Sequence, residues 1–220
     1  MNEDDEHSIM IGAIQTSEEE SRVERRDAAA NRAKILETAE SLFAQHGVAN
    51  VNMADIAQAA CVGKGTLYRR FANKGELCLA LMDAQMSEFQ NSMLMRMQQM
   101  TAADVPKLEQ LLQFIDALVY FTGMHSPLLC EVQREGMLQG IDNSRIQLPH
   151  FWQHMTVSGL LKTAVAHGEI SPDLDTDYLA DAILSPLKAD IFRFQIEVRG
   201  FTLERISAGL QTLILGLRYS

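Results

Sequence analysis

The chain has 220 residues, of which 47% are hydrophobic and 22% are charged, and its formal net charge is −10. This composition is that of an ordinary globular protein and excludes a low-complexity or collagen-like chain. The length suits one or two domains, since domains cluster at roughly 100–150 residues, and it allows a sizeable buried core.

Three features predict a cytoplasmic protein without a membrane segment. The chain opens with "MNEDDEH", the opposite of the positively charged start of a signal peptide. No apolar run approaches the ~18 residues of a membrane-spanning helix. The three cysteines, Cys61, Cys78 and Cys130, form no CxxC pair, and their odd, scattered arrangement favours reduced thiols over a disulfide framework.

The negative charge is unevenly distributed along the chain. Residues 1–27 and residues 83–220 are both acidic, whereas residues 28–82 carry six cations against four acids. A DNA-binding protein needs a local basic face rather than a positive net charge. The acidic balance of the whole chain therefore does not exclude nucleic acid as a partner.

The first predicted elements are an acidic tail and a helix. Residues 1–27 lack a sustained hydrophobic period, so we expect a disordered tail. From residue 28 the pattern is helical, because Ile35, Ala39 and Phe43 fall on one apolar stripe. Gly47 is typical of the position just after a helix end.

The next segment predicts two short helices separated by a tight turn. Asn52 is a suitable N-cap, with Asp55 three residues later as in a capping box. The helix that Asn52 starts is expected over residues 53–60, and the second short helix over residues 64–71. A turn of three to four residues between two short helices is the signature of a helix-turn-helix.

The remaining pattern is helical as well. After Asn73 as a cap, a long helix is predicted over residues 74–100. Further apolar periods predict helices over residues 107–124, 128–138, 151–166, 177–197 and 202–217, with Pro186 bending one of them. The expected fold is therefore all-α with about nine helices, divided into a small N-terminal helix-turn-helix head (residues 28–75) and a larger helical body (residues 76–220).

Four phrases in the first third of the chain carry a family resemblance. They are "ILETAESLFAQHG", "DIAQAA", "VGKGTLYRRF" and "NKGEL", in this order and spacing. With them, residues 32–82 resemble the DNA-binding head of TetR/AcrR-family transcriptional regulators. The resemblance implies that residues 28–75 are a DNA-binding domain and residues 76–220 a ligand-binding and dimerisation domain. It implies a homodimer that binds a double-stranded DNA operator and responds to a small-molecule effector in its body. We expect no cofactor and no metal.

The second helix of a helix-turn-helix enters the major groove by its N-terminal end. Gly63 and Gly65 keep that end narrow, while the hydroxyl of Tyr68 suits a phosphate and Arg69 suits guanine or a phosphate. A solvated basic face is the alternative interpretation of such a short helix. The candidate DNA-binding residues are Asn52, Lys64, Gly65, Thr66, Tyr68, Arg69, Arg70 and Lys74.

The chain departs from the family pattern at Cys61, where relatives usually carry glycine in the turn. If the backbone of Cys61 has a positive φ, a residue other than glycine costs on the order of 1 kcal/mol there. We expect the fold to survive that cost. A redox-sensing role for the Cys61 thiol has no support in the sequence.

Methionines are concentrated on one face of the long predicted helix. The face belongs either to the plain core or to a pocket that repacks around apolar ligands. The same two interpretations apply to apolar positions on the later helices. The candidate pocket residues are Met86, Phe89, Met93, Phe114, Leu118, Phe121, Met124, Met137, Trp152 and Met155.

The last predicted helix is apolar over more than one face, so it must bury against something besides its own chain. Small residues on the last two helices allow another helix to approach closely, which indicates a two-fold helical interface. The candidate interface residues are Ala182, Ser185, Ala189, Ile206, Gly209, Leu210, Leu213, Gly216 and Leu217.

The function expected from the sequence is a ligand-responsive repressor that binds a palindromic operator as a dimer and is released by a small apolar molecule. A helix-turn-helix protein that senses no ligand, in an architectural or activating role, is the alternative. We do not expect an enzyme, because no Ser/His/Asp or Cys/His arrangement, carboxylate pair or glycine-rich phosphate loop is present. His150 and His154 have a spacing that suits a metal but lack a third ligand.

Overall fold

The computed structural model describes residues 26–139 and 144–218, without the side chains of Ala84 and of residues 136–150. Within these ranges the chain forms nine α-helices and no β-strand, apart from one isolated bridge between Ile170 and Arg218. The helices are α1 (residues 26–46), α2 (Met53–Ala59), α3 (Lys64–Arg70), α4 (Lys74–Ala102), α5 (Lys107–Gln139), α6 (Ser144–Ala166), α7 (Thr176–Leu184), α8 (Ala189–Glu197) and α9 (Leu203–Leu215). None of these helices is both long enough and apolar enough to cross a membrane.

The chain divides into two compact units, with the boundary after Ala72. We call the described part of the first unit the head (residues 26–72, α1 to α3) and that of the second the body (residues 73–218, α4 to α9). The predicted boundary lay three residues further along the chain. The predicted tail falls almost wholly outside the described residues, and Arg26 and Asp27 already belong to α1.

In the head, α2 begins with the predicted capping box. The side-chain oxygen of Asn52 accepts hydrogen bonds from the N–H groups of Ala54 and Asp55, at 2.9 and 3.1 Å. In return, the Asp55 carboxylate accepts a bond from the N–H of Asn52, at 2.9 Å. These bonds satisfy donors that a helix N-terminus otherwise leaves without partners.

The turn between α2 and α3 is a Schellman motif, in which two N–H groups bond back into the end of the helix. The N–H of Val62 donates to the carbonyl of Ala57 at 3.0 Å, and the N–H of Cys61 donates to that of Gln58 at 3.1 Å. The motif places Cys61 at φ 53°, in the left-handed region that favours glycine. Cys61 therefore has the positive φ for which we expect a cost on the order of 1 kcal/mol at a residue other than glycine.

In the body, α4 and α5 pack as an antiparallel pair along most of their length. At one end, the hydroxyl of Thr101 donates to the side-chain oxygen of Gln110 at 3.2 Å. At the other end, the ammonium of Lys74 lies 3.7 Å from the carboxylate of Glu131. These two contacts fix the register of the pair at both ends.

The helix α5 is the centre of the body, since α4, α6, α8 and α9 all pack against it. Leu111, Phe114, Ile115 and Leu118 of α5 are almost fully buried in the core that these helices share. Burying each such side chain contributes roughly 1.5–3 kcal/mol.

The N-terminus of α5 is capped from a distant part of the chain. The carboxylate of Glu169 accepts hydrogen bonds from the N–H groups of Lys107 and Leu108, at 2.7 and 2.9 Å. Pro106 precedes these two residues and has no N–H of its own. Glu169 therefore supplies, from the turn after α6, the cap that the local sequence lacks.

Three predicted helix boundaries in the body were wrong, and the first is the start of α6, which lies at Ser144 and not at residue 151. The break expected before residue 128 does not occur, because α5 runs through Pro127 without ending. Buried Val119 and Val132 lie on both sides of the proline, and their packing offsets the lost hydrogen bond. Conversely, the helix expected over residues 177–197 is two helices, separated by a 3-10 turn over Ser185–Leu187 and by Lys188 in an extended conformation.

Replacing Cys61 with glycine should raise the free energy of unfolding by roughly 0.5–1 kcal/mol, because glycine adopts the left-handed conformation without a Cβ penalty. Chemical denaturation of both proteins measures the difference. The control is Ala59→Gly in the last turn of α2, which should lower the free energy of unfolding by about 1 kcal/mol. Destabilisation by both substitutions would contradict the assignment of strain to Cys61.

Replacing Glu169 with alanine should lower the free energy of unfolding by about 1.5–3 kcal/mol, because two N–H groups of α5 lose a charged acceptor. Denaturant midpoints measure the effect. The matched control is Asp173→Ala, an exposed carboxylate in the turn that follows α6. Equal, small effects of the two substitutions would show that Glu169 contributes nothing as a cap.

Candidate DNA-binding surface and effector site

The helix α3 presents a cationic face to solvent. Lys64, Gly65, Tyr68 and Arg69 are all exposed, whereas Leu67 between them is fully buried and anchors the helix in the head. This spacing places the exposed residues on one side of a single helix. The face therefore carries two cations and a phenol hydroxyl that suit the edges of bases and the phosphates.

The N-terminal end of α3 is open around its backbone. Gly63 is the N-cap and contributes no side-chain hydrogen bond to the first turn. A Cβ atom added to Gly65 would meet no atom within 4 Å. Packing within the protein therefore does not require glycine at position 65.

The remaining candidate DNA-binding residues of the head are either less exposed or already hydrogen-bonded within the protein. Thr66 and Arg70 are half-buried, and the Nε atom of Arg70 is buried without a hydrogen-bond partner in the described part of the chain. Asn52 is exposed, but its side-chain oxygen is already bonded as the cap of α2. Arg32, a cation that was not among the candidates, lies over the ring of Phe71 at 5.6 Å from its centroid.

Lys74 is placed differently from the prediction. Its side chain is only 9% exposed, and its ammonium lies 3.7 Å from the carboxylate of Glu131, which Arg134 also binds. Such a buried and paired cation is not presented to a phosphate in this conformation. Burial beside Glu131 also raises the pKa of the nearby Cys78 thiol to about 12, so this thiol stays protonated and unreactive.

Aromatic rings fill the space between α4, α5 and α6, where the effector pocket was predicted. The rings of Phe89 and Phe121 stack with centroids 4.4 Å apart. The indole of Trp152 meets Phe89 at 6.1 Å and Phe114 at 5.6 Å, both edge to face. Met86, Met93 and Leu118 are buried in the body as well. The structure therefore brings Phe89, Phe114, Phe121 and Trp152 together as one cluster.

Two buried polar side chains that were not among the candidate pocket residues belong to this region. The imidazole of His125 is 7% exposed, its ring centroid lies 4.4 Å from that of Phe121, and burial lowers its pKa. Among the described residues, the side-chain oxygen of Gln85 is buried without a hydrogen-bond partner. Neither residue lies on a recognisable motif, so only the three-dimensional contacts reveal them.

Three predicted pocket residues are not part of the cluster. Met124 is 77% exposed and Met155 is 54% exposed, so neither lines an interior pocket. Both lie on helices whose opposite faces carry the core, and the apolar period did not distinguish the two faces. The side chain of Met137 lies outside the described residues.

The predicted interface on α9 divides into two faces. Ile206 and Leu210 are buried in the core of their own body, so they offer no surface to a partner and their assignment was wrong. Gly209, Leu213 and Gly216 lie on the opposite face and are exposed. Of the other candidates, Ala182 is exposed and Ser185, Ala189 and Leu217 are half-buried.

Sequence reasoning missed a second exposed apolar row, on α8. Ile191, Phe194 and Val198 are 42%, 50% and 67% exposed, and they follow one another at spacings of three and four residues. They therefore share one side of the helix. A continuous apolar face of this kind on a surface helix is typical of an interaction site.

Comparison with known proteins identifies the head. The family described as "Bacterial regulatory proteins, tetR family" matches residues 35–81, which include all of α2 and α3. An HTH-type transcriptional regulator of Staphylococcus aureus strain MRSA252 is 28% identical over 180 residues, covering 82% of this chain and 90% of the relative.

Solved structures show the same fold over most of the chain. FadR of Thermus thermophilus, a TetR-family repressor in complex with lauroyl-CoA, has a TM-score of 0.62 at 18% identity, covering 84% of this chain and 93% of FadR. A putative regulator of Saccharomonospora viridis in complex with choline has a TM-score of 0.65 at 19% identity, covering 84% and 96%.

The capped helix-turn-helix, the all-α body and these similarities agree with one another and with the motifs of the sequence. Residues 35–81 carry a domain of the tetR family of bacterial regulatory proteins, and the described chain shares its fold with solved TetR-family regulators.

Proposed function

We propose that the protein is a ligand-responsive repressor that binds a palindromic operator as a homodimer in the cytoplasm and leaves it when a small, largely apolar molecule binds in the body. The exposed cationic face of α3 is the observation that carries the proposal. Its N-terminal end enters the major groove, with Lys64, Tyr68 and Arg69 toward the DNA.

The acidic remainder of the chain does not oppose this role. The cations of α3 act at contact distance, whereas the charges of the body act over a range that salt screens within about 10 Å at 0.1 M. Net negative charge reduces nonspecific attraction to DNA, so that binding depends on the fitted face of α3.

The exposed apolar rows on α8 and α9 support the dimer. Phe194 of α8 and Leu213 of α9 are large apolar side chains of these rows. Phe194 is 50% exposed and Leu213 is 65% exposed. Pairing the two helices with those of a second chain buries both rows in a two-fold interface. A two-fold dimer presents two α3 helices to half-sites about 34–36 Å apart, as a palindrome requires.

The effector site is supported by the aromatic cluster and by the solved neighbours. FadR of Thermus thermophilus holds lauroyl-CoA and the Saccharomonospora viridis regulator holds choline, so bodies of this fold accept chemically different small molecules. In the proposed mechanism, ligand binding tilts α4 and changes the spacing of the two heads. A ~100-fold loss of DNA affinity requires about 2.7 kcal/mol of difference in ligand affinity between the two states.

A regulator without an effector is the second candidate. It is favoured by the rings of Phe89, Phe121 and Trp152, which occupy the interior of the body in mutual contact. Under this function, DNA affinity stays constant whatever small molecule is added. Under the proposed function, at least one ligand lowers it.

The test of the proposal is binding of the purified protein to DNA from upstream of its own coding sequence, over a series of salt concentrations. We expect tight, sequence-dependent binding with a steep dependence on salt, because several phosphates are neutralised together. Lauroyl-CoA and choline are the first effectors to titrate into the complex. Binding that is weak and equal for all DNA sequences would contradict the proposal.

The substitution Gly65→Ala separates folding from DNA binding. Because nothing lies within 4 Å of the added methyl group, the variant should unfold with a free energy that is up to about 1 kcal/mol higher. Its operator affinity should nevertheless fall by tenfold or more, since the methyl group meets the DNA. Unchanged affinity in a fluorescence anisotropy titration would show that α3 does not approach the DNA by this end.

The substitution Leu213→Glu should convert the dimer into a monomer, because it places a charge in the apolar interface. Light scattering measures the mass, and operator affinity should fall with it. The control is Gln98→Glu, which adds the same charge at an exposed position of α4. A Leu213→Glu protein that remains dimeric would exclude α9 from the interface.

A further inference from the structure

Two buried polar groups end the aromatic cluster on the side toward the N-terminus of α4. Phe89 of α4 stacks on Phe121 of α5. Gln85 lies one turn before Phe89, and His125 lies one turn after Phe121. Because α4 and α5 are antiparallel, these two residues stand at the same level of the pair, roughly 6 Å along the helices from the stacked rings.

Both groups lack a hydrogen bond in the described part of the protein. The side-chain oxygen of Gln85 is buried and has no partner. The imidazole of His125 is buried against Phe121, and no described residue forms a hydrogen bond with it. The buried, unsatisfied oxygen of Gln85 costs about 1–3 kcal/mol, so it calls for an explanation in function or in a bound molecule.

The chemistry of the two groups defines what would satisfy them. The oxygen of Gln85 only accepts hydrogen bonds, so it needs a donor. Burial lowers the pKa of His125 and favours the neutral imidazole, which offers one donor and one acceptor. A ligand group that donates a hydrogen bond to Gln85 and accepts one from His125 satisfies both side chains. An alcohol and a carboxamide meet this requirement, whereas a carboxylate has no proton to donate.

The surrounding charges also disfavour an ion. On α4 and α5 no cation lies within two turns of Gln85 or His125 in the chain, so nothing there balances a buried carboxylate. The nearest carboxylates on α5 are already bonded: Asp116 accepts from the hydroxyl of Ser207, and Glu131 pairs with Lys74. On α4, the carboxylates of Asp83 and Glu88 are exposed to solvent, so a cation buried between the two helices finds no buried carboxylate partner there.

We propose that Gln85 and His125 form the polar end of the effector site, and that the effector is an apolar molecule carrying one uncharged group that both donates and accepts a hydrogen bond. This inference rests on the proposed function. The apolar part of the effector takes the place of the contacts among Phe89, Phe121 and Trp152, and its polar group bridges Gln85 and His125.

The first test uses the stability of the free protein. Gln85→Met removes the buried unsatisfied oxygen at nearly constant volume, so it should raise Tm by about 2 °C or more. The matched control is Gln110→Met, because Gln110 is also buried but donates to the carbonyl of Val105 at 2.9 Å. This control should lower Tm. A fall in Tm for Gln85→Met, equal to that of the control, would mean that a structural partner such as water satisfies Gln85, and would overturn the proposal.

The second test uses three probes with the same chain and different head groups: 1-octanol, octanoate and octyltrimethylammonium. We expect the wild-type protein to be stabilised by 1-octanol at concentrations at least tenfold lower than by the two ions. Gln85→Met and His125→Phe should lose this preference. Equal responses to the three probes, or a preference that survives in both variants, would overturn the proposal.

The two tests remain separate from the proposed function, because Tm is measured without DNA. A protein that fails to bind any operator yet shows the octanol preference would contradict the repressor alone. A protein that binds its operator but shows no difference between the probes would contradict the polar end of the effector site alone.

Discussion

The antiparallel packing of α4 against α5 is the contact on which the rest of the body depends. α5 is the helix that α6, α8 and α9 also use as their support, and α4 is the only one of its neighbours that continues directly into the head. Only Phe71, Ala72 and Asn73 separate α3 from α4 in the chain. The long α4 is held by Glu131 near its first residue and by Gln110 near its last. In the proposed mechanism, a ligand therefore acts on the DNA-binding helix by changing a helix pair whose two ends are already fixed.

The head could be predicted almost residue by residue because its determinants are local. The capping box of Asn52 and Asp55 lies within four residues, and the turn that follows is closed by bonds between neighbours in the chain. The body was less predictable, because its boundaries depend on distant partners. Glu169 caps α5 from about 60 positions away, and packing on both sides keeps α5 continuous through Pro127. Neither effect leaves a signal in the local pattern.

The candidate sites also divide into features that the local sequence predicts and features that depend on distant contacts. The exposed positions of α3 follow from helical periodicity, since buried Leu67 leaves only one face for solvent. Periodicity alone cannot say whether an apolar stripe faces the core or a partner, which is why Ile206 and Leu210 were assigned to the interface and Phe194 was missed. Lys74 shows a further limit, because the local sequence does not reveal that Glu131, from a distant part of the chain, pairs with this cation.

Pro127 gives α5 a property that its long partner α4 lacks. Without an N–H it cannot bond to the carbonyl of Gly123, so the helix loses one of the bonds that make a rod stiff against bending. Gly123 itself packs so closely on Leu203 of α9 that a methyl group would lie 2.8 Å from that side chain. The part of α5 that is least stiff against bending thus lies between the aromatic cluster and Glu131, next to α9. When α5 bends at this point, a small displacement of Phe121 produces a larger lateral displacement of the C-terminal end of the helix.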